Sequence, residues 1–160
     1  MYDIYQQLMQ EIFVFKFFLI AIYMSIEMKR IIQEDSTGCG LACVAMIANL
    51  TYSEIKKEAI ENSIVQSGRS FYTTSNDLIR LLSALNIQAK KGRIVRKWES
   101  IKSLSIVAIN FREKSNTWHW VVYVPDTKIG YVLDPNKKIK TEKRIDLSRM
   151  VLRSYIPIVI

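Results

Sequence analysis

Apolar positions keep a helical spacing in the first half of the chain and a two-residue alternation in the second. From Cys39, the residues Leu41, Val44, Ala45, Ile47 and Ala48 recur every three or four positions, which predicts a helix beginning at or just before Cys39 and ending near Asn49. Thr51 followed by Glu54, and Thr74 followed by Asp77, each have the spacing of a capping box, in which hydroxyl and carboxylate satisfy the free amides of a helix start. They predict a second helix through Glu61 and a third carrying Leu78, Leu81, Leu82 and Leu85 as a core-facing stripe.

After Asn86 the pattern shifts to short runs of Val, Ile and aromatic residues bounded by Gly, Asp, Asn and Pro, which predict strands near residues 105–111, 117–124, 130–133 and 155–160. Helices first and strands second predict an α+β domain with segregated halves. Pro125 and Asp126 mark a hairpin turn between the second and third strands, and Pro157 suits the last strand to a sheet edge. In 117–124 the alternation sets His119, Val121 and Tyr123 on one face and Trp118, Trp120 and Val122 on the other. One face is expected to be core and the other to present His119 to a cleft.

Length and composition change this picture little. With 160 residues, 49% hydrophobic, no fixed-period repeat and no linker-like stretch, the chain is expected to form one domain over residues 29–160, favouring a monomer. Residues 12–24 are apolar apart from Lys16, shorter than the roughly 20 residues a membrane span needs. The readings left open for residues 1–28 are an interfacial anchor, an atypical signal segment, or an upstream start with Met24 or Met28 as the true one. The net charge of +8 is scattered over 90–97 and 137–153 without a nucleic-acid-binding motif, so nucleic acid is not the expected partner.

Cysteine usage carries more. Cys39 and Cys43 stand four residues apart on one helix, a poor disulfide geometry, and a single histidine cannot complete a metal site with them. Free thiols in a reducing compartment are expected, with no cofactor. A thiol attacks a carbonyl as thiolate, which a helix N-terminus and an imidazolium both favour. Cys39, flanked by Gly38 and Gly40, opens the first helix, where the glycines allow a tight turn and close approach of a substrate. Cys43, one turn further in, reads as a core residue. His119 is the only imidazole, and Asp134, before Pro135, closes the next strand where a hairpin brings the two side by side. Singly, each has a structural explanation; together they follow the order Cys, His, Asp.

The stretch Gln33-Glu34-Asp35-Ser36-Thr37-Gly38-Cys39-Gly40-Leu41-Ala42-Cys43, with glutamine six residues before the cysteine, resembles the bacteriocin-processing peptidases, papain-like cysteine peptidases that remove double-glycine leader peptides and are often fused to ABC exporters. The later HWVVYVPDTKIGYVLDP is similar to that family's His and Asp-Pro strands. The resemblance implies a papain-like fold, a helical half with Cys39 against an antiparallel sheet with His119 and Asp134. It also implies Cys39 as nucleophile, His119 as base, Asp134 as orienting carboxylate and Gln33 as oxyanion donor. Two departures stand out: Gly38 where the family commonly has Asp or Asn, and no phosphate-binding loop of an ATPase. A freestanding peptidase is therefore expected, acting on a peptide or protein, cytoplasmic, with an exporter or the inner-membrane surface as a further partner. The segment from Lys137 onward lies outside the resemblance. The alternatives are an amidase, deamidase or acyltransferase acting as toxin or effector, or a peptide-binding domain without catalysis.

Overall fold

The computed structural model describes residues 28–126 and 130–159. The apolar stretch 12–24 and the starts at Met24 and upstream lie outside the described residues. Helices α1 (Cys39–Ala48), α2 (Tyr52–Glu61) and α3 (Ser75–Ala84) come first. Strands β1 (Arg93–Ile94), β2 (Ser105–Arg112), β3 (Thr117–Val124), β4 (Tyr131–Leu133) and β5 (Leu152–Pro157) follow, forming one antiparallel sheet in the order β1-β5-β2-β3-β4.

Both capping boxes form: Thr51 accepts from the Glu54 amide and Thr74 from the Asp77 amide, with the acidic side chains reaching back. Helix α1 differs. Nine of its ten residues are buried, it ends at Asn49 in the left-handed conformation, and Gly38 gives its N-terminus no side-chain cap. The amides of Cys39, Gly40 and Leu41 precede the first intrahelical bond, which runs from Ala42 N to Gly38 O at 3.1 Å. The helix is the hub of the helical layer, packing on α2, α3 and β3.

The sheet is covered on both faces, which differs from the expectation that one face of β3 opens to a cleft. Ile106, Ala108, Trp120, Val122, Leu133 and Ile156 meet the three helices. Val107, Ile109, Val121, Tyr123 and Val132 meet a second cluster made by Val95, Trp98, Ile101 and Met150. Trp98 anchors that cover, its ring centroid 5.2 Å from Tyr123 and its Nε1 donating to Leu147 O at 3.1 Å. Two buried faces explain why β2 reads as a continuous apolar run rather than an alternation. His119 is therefore reached from the end of its strand, beyond the last residue of β4.

Other differences are local. The last strand begins three residues earlier than predicted and ends at Pro157, with Ile158 in an isolated bridge to Ala89. It lies inside the sheet, between β1 and β2, because the two-residue β1 forms the edge. Pro157 ends the strand, and its missing N–H breaks no ladder there. No helix among the described residues is long and apolar enough to cross a membrane.

Candidate active site

The N-terminus of α1, the start of β3 and the end of β4 converge on one set of side chains. Extending the Val122–Leu133 pairing puts His119 opposite Asn136, so Asp134 is its diagonal neighbour on the same face. His119 Nε2 lies 2.7 Å from Asp134 Oδ1. That leaves Nδ1 on the free side of the ring, and the Cys39 thiol is near enough to the imidazole to favour its charged form. Burial opposes charge on His119, but the hydrogen bond to Asp134 and the nearby Cys39 sulfur outweigh it and push its pKa up to about 9. Burial likewise opposes charge on Asp134, yet His119, the Asn136 amide and Arg144 hold it below the usual carboxylate value. The result is an imidazolium against a carboxylate at neutral pH, with sulfur on the free side of the ring.

Two further contacts fix that carboxylate, and a third fixes its backbone. The Asn136 amide donates to Oδ1 at 3.0 Å, and Arg144 Nη1 donates to Oδ2 at 2.6 Å. The Asp134 carbonyl accepts from Arg30 Nε at 2.5 Å, and Arg30 Nη2 donates to Asn136 O and Ile139 O. Neither arginine was visible as a site residue in the sequence. Arg144 arrives through a bridge to Val132, N to O at 2.8 Å in both directions, from the segment read as lying outside the resemblance. Its only sequence signal is Arg144-Ile145-Asp146, a basic and an acidic residue at the two-residue spacing of an extended segment.

Gln33 stands beside this group, its amide nitrogen donating to Pro135 O at 3.0 Å. Its Nε2 donates to Asp35 O at 2.9 Å and Ser36 O at 3.0 Å, so both side-chain hydrogens brace the loop before Cys39. Serving an oxyanion requires one of those bonds to be exchanged. The same loop is held from α2, where Tyr52 Oη donates to Asp35 Oδ2 at 2.8 Å and Lys56 Nζ to Asp35 Oδ1 at 2.9 Å.

Tyr52 also accounts for Gly38. The glycine has φ −82° and ψ 10°, which any residue adopts, so turn freedom is not the reason for it. A Cβ there would stand 1.9 Å from Tyr52 Oη and 2.8 Å from its Cζ. At Gly40 a Cβ would meet Thr73 Oγ1 at 2.1 Å and Leu78 Cδ2 at 2.9 Å, so packing rather than substrate approach requires that glycine too. Gly38→Asn is accordingly expected to lower stability by about 1–3 kcal/mol through overpacking, and Tyr52→Ala to rescue part of that loss in the double variant. Urea unfolding of the four proteins measures it; simple additivity would show that Tyr52 is not the obstacle.

Cys39 lines a narrow pocket of about 30 Å³. Tyr72 and Thr73 close it from the loop before α3, while Asn116 of the β2–β3 turn and Thr117 and Trp118 at the start of β3 close it from the other side. Cys43 is fully buried one turn below, and burial pushes its thiol well above the usual range. Both cysteines are free. Among the described residues no cluster of three or more His, Cys, Asp or Glu side chains is placed to hold a metal.

Comparison with known proteins places the chain in a family and a fold. The sequence model of the peptidase C39 family matches residues 27–150. Among solved structures, the chain resembles a double glycine motif protease from an AMS/PCAT transporter, crystallised with its leader peptide. That match has TM-score 0.57 at 18% identity and covers 82% of this chain and 91% of that one. It also resembles the peptidase domain of Streptococcus ComA, a bi-functional ABC transporter of a quorum-sensing pathway. Here the TM-score is 0.60 at 14% identity, with 83% of this chain and 98% of the other covered. At those identities the likeness is one of fold. A search of the curated proteins gave no significant match. The match to residues 27–150 takes in Arg30 and Arg144 as well as the residues singled out from the sequence.

Proposed function

The chain belongs to the peptidase C39 family of cysteine-type peptidases, and from that premise we propose that it removes leader peptides ending in two small residues, through a thioester on Cys39. The observation that carries the reading is the His119 ring, hydrogen-bonded to Asp134 at 2.7 Å and near enough to the Cys39 thiol, at the uncapped head of α1, for the sulfur to favour its charge. In this reading the sulfur attacks the scissile carbonyl carbon and the oxygen becomes an oxyanion. The Cys39 amide stabilises it, joined by Gln33 once its side-chain nitrogen turns from the loop carbonyls. His119 protonates the departing amine, then takes a proton from the water that cleaves the thioester and releases the leader carboxylate. Asp134 keeps the ring in the tautomer this requires.

The narrowness of the pocket beside Cys39 favours a substrate without a bulky side chain at the scissile bond. A monomer on the cytoplasmic side of the inner membrane, served by an exporter, is the setting consistent with the transporter-linked relatives.

Mass spectrometry of synthetic peptides containing Gly-Gly or Gly-Ala tests the reading. Two fragments support it; a one-dalton gain or a conjugate without cleavage replaces it with deamidation or acyl transfer. The pH profile adds a second check. The imidazolium is the active form, so kcat/KM is expected to hold through neutral pH and fall as pH passes about 9. A fall centred near the ordinary histidine value of about 6.5 would mean that the Cys39–His119–Asp134 array does not exist in solution.

A further inference from the structure

We propose that Arg144, braced by Asp146, is a positioning residue that sets both the orientation of the Asp134–His119 pair and how firmly that pair holds its proton. The inference rests on His119 being the acid and base of the reaction.

Orientation comes from occupancy. Asp134 is 1% exposed and both its oxygens are engaged: Oδ1 by His119 and the Asn136 amide, Oδ2 by Arg144. The carboxyl group cannot rotate without breaking one of these bonds, so its plane dictates where His119 Nε2 sits and hence where Nδ1 points. Arg144 is itself immobilised. Its Nε and Nη2 form a fork on Asp146 Oδ1 and Oδ2 at 3.0 and 2.9 Å, and its backbone is paired with Val132. Lysine, with one ammonium in place of a planar fork, cannot hold Asp146 and Asp134 in this way.

The proton affinity follows from charge. Two cations share one buried anion, and the guanidinium keeps its charge at every accessible pH. Arg144 draws on the same carboxylate that stabilises the imidazolium and repels it as well, so it loosens the proton His119 must give to the leaving amine. The other titratable groups around the ring are Cys39 from α1, with Cys43 beneath it, and Asp134 just after β4, and none of them is substituted in the variants. Arg30 sits on the Asp134 carbonyl, with Glu142 3.7 Å away.

Because His119 is the only histidine, its imidazole signals in a nuclear magnetic resonance titration need no assignment and do not depend on cleavage. In Arg144→Gln the His119 midpoint is expected to move up by about 0.5 to 1 unit, the alkaline limb of kcat/KM moving with it. Its kcat should fall about 10- to 100-fold while KM stays within about twofold, since Arg144 touches no substrate. Arg144→Lys keeps the charge and loses the fork; its midpoint should stay near that of the parent protein while kcat still falls. A folded Arg144→Gln protein with an unmoved midpoint, or an Arg144→Lys protein with full kcat, overturns the proposal and reduces Arg144 to a tie between two segments. Should Arg144→Gln fail to fold, the kcat of Arg144→Lys alone decides. If the parent protein cleaves no peptide while the midpoint still shifts in Arg144→Gln, the leader-peptidase reading falls and the electrostatic role of Arg144 stands.

Discussion

Replacing His119 with alanine is expected to reduce peptide cleavage by about a thousandfold or more and to slow alkylation of Cys39 at neutral pH. The first effect follows from the tasks the proposed mechanism gives the ring in one place: activating the sulfur, protonating the leaving amine and activating water. The second isolates the first task, since a small haloacetamide needs only a nucleophilic sulfur and access through the pocket bounded by Tyr72 and Trp118. Cys43→Ala supplies the control. That thiol is fully buried in the core cluster and does not line the pocket. The variant should lose about 1 kcal/mol of stability and keep both cleavage and labelling. Labelling rates can be read by mass spectrometry of the modified peptide. Equal rates for the parent protein and a folded His119→Ala protein would mean that no sulfur–imidazole pair forms.

Why so much of this site was readable from the chain, and the rest was not, comes down to the range of the interactions involved. The capping boxes at Thr51 and Thr74 are complete within three residues, so their helices start where the sequence places them. Leu78, Leu81 and Leu82 are buried in the row their spacing implies, whereas Leu85, at the helix end, is only partly covered. The order of Cys39, His119 and Asp134 is likewise readable, because a chain with one imidazole leaves no choice of partner.

What escaped depends on contacts between distant segments. The bond from Arg144 to Asp134 spans ten residues of irregular chain and exists only because the Val132–Arg144 bridge brings them together. Arg30 meets the Asp134 carbonyl across 104 residues. The second covered face of the sheet is built by Trp98 and Met150 from short, irregular pieces with no periodic signature. Gly38 was read as a turn residue, but its reason is the Tyr52 ring, fourteen positions on and invisible to any local rule.

Asp134→Ala is where catalysis and folding are expected to fail together. Its carboxylate receives His119, Arg144 and the Asn136 amide in a site almost closed to solvent. Removing one partner of such a buried pair leaves the others with desolvated charge, which costs about 3–5 kcal/mol. Freed from its anchor, the ring loses its tautomer and aim, and kcat should drop about a thousandfold or more. The pH dependence of the stability loss identifies its origin. His119 binds its proton more tightly folded than unfolded, so its contribution is complete below the unfolded value of about 6.5 and disappears as pH rises through about 9. Asp134 is more acidic folded than unfolded, so its contribution is present above about 3.9 and disappears as pH falls through its depressed value. The two windows overlap between about pH 4 and 6.5. Urea unfolding should therefore show the parent and Asp134→Ala proteins furthest apart near pH 5.5 and closer at both extremes. A gap that stays constant with pH would trace the loss to packing alone and remove the ion pair from the account of the site.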